Sequence, residues 1–104
     1  IQGAVSNVIV EDNSIKYIAA ITHKTRNHGK IYLGGSPRAS LSIVKSAKAI
    51  AAIRGRDFIT PEDIQFVAVH VLNHRIIMTP EAEMEGVSPE DVVQEIIKTL
   101  EVPR

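Results

Sequence analysis

Four pairs of a hydroxyl residue and a proline occur in this chain, and three of them mark strong helix starts. Ser36-Pro37, Thr60-Pro61 and Ser88-Pro89 each place a Ser or Thr directly before a Pro. A Ser or Thr at the N-cap accepts a hydrogen bond from a free N–H group of the first helical turn, and proline is favoured at the first helical position. Each pair therefore predicts the start of a helix, and a chain of 104 residues with three such starts is constrained to be largely helical.

Apolar residues repeat at helical spacing after each of these starts and in one earlier stretch. The expected helices run from residue 11 or 12 to 27, over 37–54, from 60 to about 73 and over 88–100, and Thr79-Pro80-Glu81 opens a short extra turn. We therefore predict an all-α fold, a small bundle of about four helices in one domain. Its expected core is Ile15, Ile18, Val44, Ala47, Ile64, Val67, Val71, Val93, Ile96 and Leu100.

One of the three starts departs from the charge pattern of the others. The starts at Thr60 and Ser88 place acids in the first turn, where the helix dipole favours them, whereas the start at Ser36 places Arg38 there. Gly34-Gly35 would let a backbone come close, and free N–H donors beside a guanidinium describe a seat for an anion such as phosphate. A solvent-exposed arginine that happens to fall in a first turn explains the pattern equally well.

The net charge of zero conceals a strong asymmetry. Residues 1–56 hold nine Lys or Arg against two acids, whereas residues 57–104 hold three against ten, so the halves carry +7 and −7. Such a dipole suits an anionic ligand or head-to-tail packing in a ring. The halves can also compensate each other within one fold, and we favour that interpretation.

Several functional classes lack their sequence features. The chain has no Cys, which excludes disulfides and thiolate metal sites and is compatible with the cytoplasm, and its apolar runs are too short to span a bilayer. Gly29-Lys30 lacks the spacing of a phosphate-binding P-loop, and the Gly-Gly-Ser before Pro37 lacks the final glycine of a serine nucleophile elbow. His70 and His74 lie four residues apart without a third ligand, so we predict surface or capping roles and no metal site.

Nucleic-acid binding is the other class that the charges raise. Lys24, Arg26, His28 and Lys30 form a basic run that could contact phosphates. Only four aromatic residues accompany it, with no stacking platform and no basic recognition helix. A solvated basic edge is the favoured interpretation.

A combination of short motifs is more specific than any one of them. Leu33-Gly34-Gly35-Ser36-Pro37-Arg38-Ala39 precedes an Ala-rich helix, and Arg54-Gly55-Arg56-Asp57-Phe58-Ile59-Thr60-Pro61-Glu62-Asp63-Ile64 and Leu72-Asn73-His74-Arg75 follow. Together with Tyr17-Ile18 and Thr25-Arg26, this combination resembles the C-terminal lid of the MoxR-type AAA+ ATPases over nearly the whole chain. Magnesium-chelatase-type ATPases share part of the pattern.

The resemblance implies a helical lid over residues 1–104, a fragment of a longer ATPase. Such a lid packs over ATP, with Mg²⁺, held by a preceding α/β domain. Arg38 matches the sensor-2 arginine that reaches the γ-phosphate, which agrees with the anion seat. Gly35, Ser36 and Pro37 are the nucleotide-binding residues around it, and Tyr17 and Ile18 match a position near the adenine, with a core role equally open for Ile18.

The resemblance also implies ring hexamers of the parent protein, a von Willebrand factor A-domain partner and a chaperone-like or metal-insertion role in the cytoplasm. The fragment alone is then expected not to hydrolyse ATP, because it contains no P-loop. The alternative is a free-standing helical module that binds protein or nucleic acid. A P-loop roughly 200 residues upstream in the same reading frame would distinguish the two, given the usual size of an α/β domain.

Overall fold

Each of the four hydroxyl–proline pairs begins a helix. The computed structural model describes residues 8–102. Within that range the helices are α1 (Asp12–Arg26), α2 (Pro37–Ile53), α3 (Pro61–Asn73), α4 (Pro80–Met84) and α5 (Pro89–Thr99), and the strands are β1 (Ile31–Leu33) and β2 (Ile77–Met78). The predicted helical bundle is confirmed, and α4 is the short extra turn expected at residues 79–81.

The two strands form a small feature that the helical spacing did not predict. β1 and β2 pair antiparallel, with Ile31 opposite Met78 and Leu33 opposite Ile77. The connectors after α1 and α3 are brought side by side because α1 and α3 pack in the same bundle. Pairing the two connectors satisfies backbone groups that would otherwise need water.

Helix α3 lies at the centre of the bundle, in contact with α1, α2 and α5. Six of the ten predicted core residues are buried, and Val44, Val71 and Leu100 are partly buried against the core. Ile15 is the exception, because half of its surface is exposed. Its prediction as a core residue is wrong.

The error at Ile15 comes from the polar residues that α1 buries. Its buried face consists of Ser14, Tyr17, Ile18, Ile21, Thr22 and Thr25. The hydroxyls of Thr22 and Thr25 donate to carbonyls one turn back in the same helix, at 3.2 Å to Ile18 O and 2.6 Å to Thr22 O. A threonine with its hydroxyl satisfied in this way can be buried at little cost, so the true face is rotated from the one that apolar residues alone suggest.

A buried carboxylate joins α2 to α3. Helix α2 ends in a Schellman closure, with Gly55 at φ 75° and the N–H of Arg56 donating to Ala51 O at 2.9 Å. The same segment presents Arg54 and Arg56 to Asp63, whose side chain is fully buried, at 3.4 and 2.5 Å. Gly55 is thus the expected glycine beyond the helix end, and the Arg-Gly-Arg turn is folded against the start of α3.

Asp63 also completes the N-terminal cap of α3. Its Oδ2 accepts from the N–H of Thr60 at 3.0 Å, while its own N–H donates to Thr60 Oγ1 at 3.3 Å. Burial alone would raise the pKa of Asp63, but the hydrogen bonds from Arg56 and Thr60 and the positive charge of Arg56 together lower the pKa below its usual value. The carboxylate is therefore held ionised inside the fold.

The charge asymmetry of the sequence is compensated at this one carboxylate. Among residues 8–102, the only ion pairs join Arg54 and Arg56 of the basic half to Asp63 of the acidic half. The favoured interpretation, that the two halves pair within the fold, therefore holds for a single acid.

Among residues 8–102, no helix is both long and apolar enough to cross a membrane.

We expect Asp63→Asn to destabilise the fold at neutral pH by about 2 kcal/mol, because hydrogen bonds to a charged group are lost. Asp91→Asn is the matched control, since Asp91 occupies the same capping position in α5 but is exposed and unpaired in the described part of the chain. It should cost under about 1 kcal/mol. Thermal melting of the variants measures both effects.

The pH dependence of the Asp63 contribution has a definite sign. Because the pKa of Asp63 is lower in the folded state than in the unfolded state, its stabilisation is complete above the unfolded value, about 3.9, and is lost as the pH falls through the folded pKa. The difference in melting temperature between wild type and Asp63→Asn should therefore shrink in acid. A difference that is constant from pH 7 to pH 2 would contradict this assignment.

Candidate functional site

Arg38 lies in the first turn of α2, which lacks the side-chain cap that α3, α4 and α5 have. Ser36 occupies the N-cap position, but its side chain makes no capping hydrogen bond, and no acid follows in the first turn. Thr60, Thr79 and Ser88, in contrast, each accept a hydrogen bond from the first turn of their own helix. Ser36 therefore occupies the predicted N-cap position, but the capping hydrogen bond that the sequence predicted is not formed.

The guanidinium of Arg38 is exposed and, among residues 8–102, forms no ion pair. An uncapped helix N-terminus carries partial positive charge and free N–H donors, and a cation there is locally unfavourable. An anion would satisfy both the donors and the guanidinium. The geometry is thus of the kind that binds a carboxylate or a phosphate.

The glycines before Ser36 allow a close approach to α1. A Cβ on Gly34 would lie 2.5 Å from Thr25 O and 2.6 Å from the backbone nitrogen of Arg26. A Cβ on Gly35 would lie 2.9 Å from Leu72 Cδ2. Contacts this short are not found for real Cβ atoms, so packing against the backbone of α1 requires glycine at position 34, whereas a side chain at position 35 would require the buried Leu72 side chain to shift. From the sequence, we had instead interpreted the two glycines as part of a binding site for an anion.

The last turn of α1 holds Gly35 at both of its backbone groups. The N–H of Gly35 donates to Thr25 Oγ1 at 2.8 Å, and Arg26 Nε donates to Gly35 O at 2.7 Å. Thr25 is fully buried, and its hydroxyl in turn donates to Thr22 O at 2.6 Å. We call this set of contacts, between Thr25, Arg26 and Gly35, the α1 latch. It fixes the backbone three residues before Arg38.

An apolar groove runs between α1 and α2 beside the latch. Its volume is about 1070 Å³, and its lining includes Arg26, Pro37, Leu41 and Val44 together with Ile18. Of the predicted nucleotide-binding residues, Pro37 is exposed at this groove, whereas Ile18 lies beneath it with only 1% of its surface exposed. The groove is open enough to receive a planar apolar group or another protein surface.

Tyr17 is not on that surface. It is 4% exposed, and its hydroxyl accepts a hydrogen bond from Gln65 Nε2 of α3 at 3.0 Å. A buried tyrosine whose hydroxyl is paired is typical of a core position. The structure thus places both Tyr17 and Ile18 in the core, which for Ile18 is the alternative that the sequence left open.

His70 lines a second groove, between α3 and α5, whereas His74 is exposed at the C-cap of α3. This groove has a volume of about 770 Å³ and is lined by Phe66, Val69, His70 and Ile97 among others. The ring of His70 packs edge-on against Phe66 with centroids 4.8 Å apart. No group of three or more His, Cys, Asp or Glu within residues 8–102 is arranged to hold a metal ion.

Gly35 of the latch was a predicted site residue, but its partners Thr25 and Arg26 were not. The sequence indicated Thr25 and Arg26 only through the family resemblance and, for Arg26, the basic run, and no periodicity distinguishes a latch from a polar helix end. The Gly-Gly pair was the available indication, because two adjacent glycines before a helix predict a close backbone contact. The partner of that contact required the fold.

We expect Gly34→Ala to destabilise the chain by about 1–3 kcal/mol, because the added methyl overlaps backbone atoms of α1 that cannot move independently. Gly29→Ala is the matched control: a Cβ there has no atom within 4 Å. Its stability should equal that of wild type or slightly exceed it. Denaturant unfolding of both variants measures the difference, and equal stabilities would show that the loop can withdraw from α1.

Comparison with known proteins agrees with this architecture. The AAA lid domain family matches residues 23–96. The chain is 42% identical over 103 residues to the uncharacterized protein YeaC of Bacillus subtilis, covering 99% of this chain and 32% of that protein. It is 31% identical over 113 residues to the chaperone MoxR1 of Mycobacterium tuberculosis, covering 100% of this chain and 30% of the chaperone.

A solved structure gives the same result for the fold. A crystal structure of a protein regarded as an ATPase, from Cytophaga hutchinsonii, superposes with a TM-score of 0.92 at 32% identity, covering 99% of this chain and 34% of that one. The chain therefore spans about a third of the length of the relatives that it matches. From the family match, the relatives and the superposition together, we conclude that this chain belongs to the AAA lid domain family and is a lid of the MoxR type.

Proposed function

We propose that this lid closes over ATP bound by a preceding α/β domain of a MoxR-family ATPase and that Arg38 is its sensor-2 arginine. The observation that carries the proposal is the start of α2, where Ser36 leaves the helix N-terminus uncapped and the guanidinium of Arg38 forms no ion pair with the described residues. A γ-phosphate would accept hydrogen bonds from that arginine and would be favoured by the helix dipole.

The chemical contribution of Arg38 would be to stabilise charge that develops on the transferring phosphoryl group. Phosphoryl transfer depends mainly on positioning and on electrostatic stabilisation, so one fixed guanidinium can contribute a large part of the rate. Arg38 has no carboxylate partner in the described part of the chain to neutralise it. Mg²⁺ would be held by the preceding domain.

The groove between α1 and α2 is proposed to face the nucleotide and the preceding domain. Pro37 lines it and adjoins Arg38, so a surface that delivers Arg38 to a phosphate brings Pro37 towards the same ligand. Its apolar lining suits contact with a base or with a protein surface. Ser36, at the uncapped start, would then lie beside the phosphates.

The relatives support a broader role for the parent protein. MoxR1 is a chaperone, and we propose a chaperone-like or metal-insertion activity coupled to ATP hydrolysis by a ring of parent subunits in the cytoplasm. A von Willebrand factor A-domain protein would be the partner of that ring. An independent reading frame as short as this chain, without a P-loop upstream, would favour the free-standing interaction module instead.

We expect Arg38→Ala in the full-length parent to lower the steady-state ATPase rate by about 10²–10³, the usual effect of removing one preorganised donor. Lysine at the same position should restore the rate only in part, because it lacks the bidentate fork. Lys45→Ala is the matched control, since Lys45 is an exposed cation on the same helix about 10 Å further along. It should retain the wild-type rate.

Thermal melting of the same variants separates function from folding. Removing a cation from a first helical turn is neutral or slightly stabilising, so Arg38→Ala should melt at or slightly above the wild-type temperature. A variant with wild-type turnover would reduce Arg38 to a surface residue and remove the support for the phosphate contact.

We also expect the 104-residue chain alone to show no ATP turnover and at most weak nucleotide affinity, because one arginine and one helix terminus form only part of a site. Isothermal titration with ATP and a phosphate-release assay measure the two properties. Turnover that co-purifies with the chain and disappears in Arg38→Ala would contradict the division of the site between two domains.

A further inference from the structure

We propose that Arg26 is a positioning residue for Arg38 and acts on it through the carbonyl of Gly35. The inference rests on the proposed phosphate contact of Arg38. Arg26 itself need not touch the nucleotide. Arg26 instead fixes the backbone at Gly35, and this backbone positions the Arg38 side chain at the phosphate.

Helices α3 and α5 fix their own first turns. In each, the N-cap hydroxyl accepts from the backbone three residues on, and the carboxylate of that residue accepts from the N-cap N–H, as in the pairs Thr60–Asp63 and Ser88–Asp91. Such a capping box sets the angle at which the chain enters the helix. Helix α2 has no acid in its first turn and no capping bond from Ser36, so it cannot fix its start in this way.

The α1 latch supplies the missing constraint from outside the helix. Thr25 and Arg26 engage the N–H and the C=O of Gly35, at 2.8 and 2.7 Å. Because both groups of one peptide residue are held, the backbone entering α2 can neither rotate nor slide without breaking a hydrogen bond. Gly34 packs against the same turn of α1 with no room for a side chain.

This arrangement has a functional advantage over a capping box. A side-chain cap would occupy N–H donors of the first turn, which are the groups that face an anion. A latch placed before the helix fixes the start and leaves those donors and the guanidinium of Arg38 available. A displacement of about 1 Å in a positioned group can cost on the order of 10²-fold in rate, so loss of the latch should reduce catalysis even with Arg38 present.

Arg26 is the member of the latch that can be tested without disturbing the core. Thr25 is fully buried, whereas Arg26 is exposed and, among the described residues, uses only its Nε in a side-chain hydrogen bond. Lys24 is the matched control, because it is an exposed cation in the same last turn of α1 and its side chain makes no hydrogen bond to the described residues. Lys24→Ala therefore removes the same charge without touching the latch.

The experiment is a double-mutant cycle on the ATPase activity of the full-length parent, with Arg26→Ala, Arg38→Ala and the two combined. Arg26→Ala should lower kcat about 10- to 100-fold with a smaller change in KM, and Lys24→Ala should leave both near wild type. In the Arg38→Ala background the Arg26 substitution should have almost no further effect, because both act through one group. Arg26→Lys should not restore kcat, since lysine has no Nε donor in the fork geometry.

A second measurement reports on the latch without activity. In the parent protein, hydrogen–deuterium exchange of the peptide containing Gly35 should be at least about tenfold faster in Arg26→Ala than in Lys24→Ala, while peptides from α3 keep their protection. Unchanged exchange would show that Thr25 alone holds the loop and would overturn the inference.

The outcomes distinguish this inference from the proposal on which it rests. Wild-type turnover in Arg38→Ala would overturn the phosphate contact itself. Reduced turnover in Arg38→Ala with wild-type turnover in Arg26→Ala, full rescue by Arg26→Lys, or independent multiplicative losses in the double variant would each overturn the positioning role alone. Full rescue would mean that Arg26 acts only through its charge.

Discussion

The close contact between the Gly34-Gly35 segment and the last turn of α1 is the constraint on which the arrangement of α1 and α2 depends. It brings two backbones together at a distance that excludes any side chain, and two hydrogen bonds then fix the segment in place. The direction of α2 follows from this contact, because α2 begins directly after it. The groove between α1 and α2 and the position of Arg38 follow from the direction of α2.

The parts of this fold that the sequence predicts are those decided within a few residues. The starts of α2, α3 and α5 were predictable because a hydroxyl residue and a proline specify them locally. The buried face of α1 was not, since threonines that satisfy their own hydroxyls count as polar in a hydrophobic pattern. The ribbon of β1 and β2 depends on two connectors meeting in space, which no local pattern encodes.

The candidate site divides in the same way. Arg38 was identified because its charge contradicts the helix dipole within a single turn, and that comparison needs only the sequence. The role of Arg26 depends on a bond to a residue nine positions away, across a turn. The ion pairs of Asp63 likewise became visible only when the end of α2 was folded against the start of α3. Contacts between elements, even elements adjacent in the chain, require the tertiary structure.

The link between α2 and α3 has a mechanical consequence. The Schellman closure fixes the end of α2, the capping box fixes the start of α3, and both arginines of the intervening turn are drawn onto one buried carboxylate. Because the connection is fixed at these three points, we expect α2 and α3 to move together as one rigid unit. We therefore expect a rotation imposed at the first turn of α2 to move α3 as well, and with it the groove that contains Phe66 and His70.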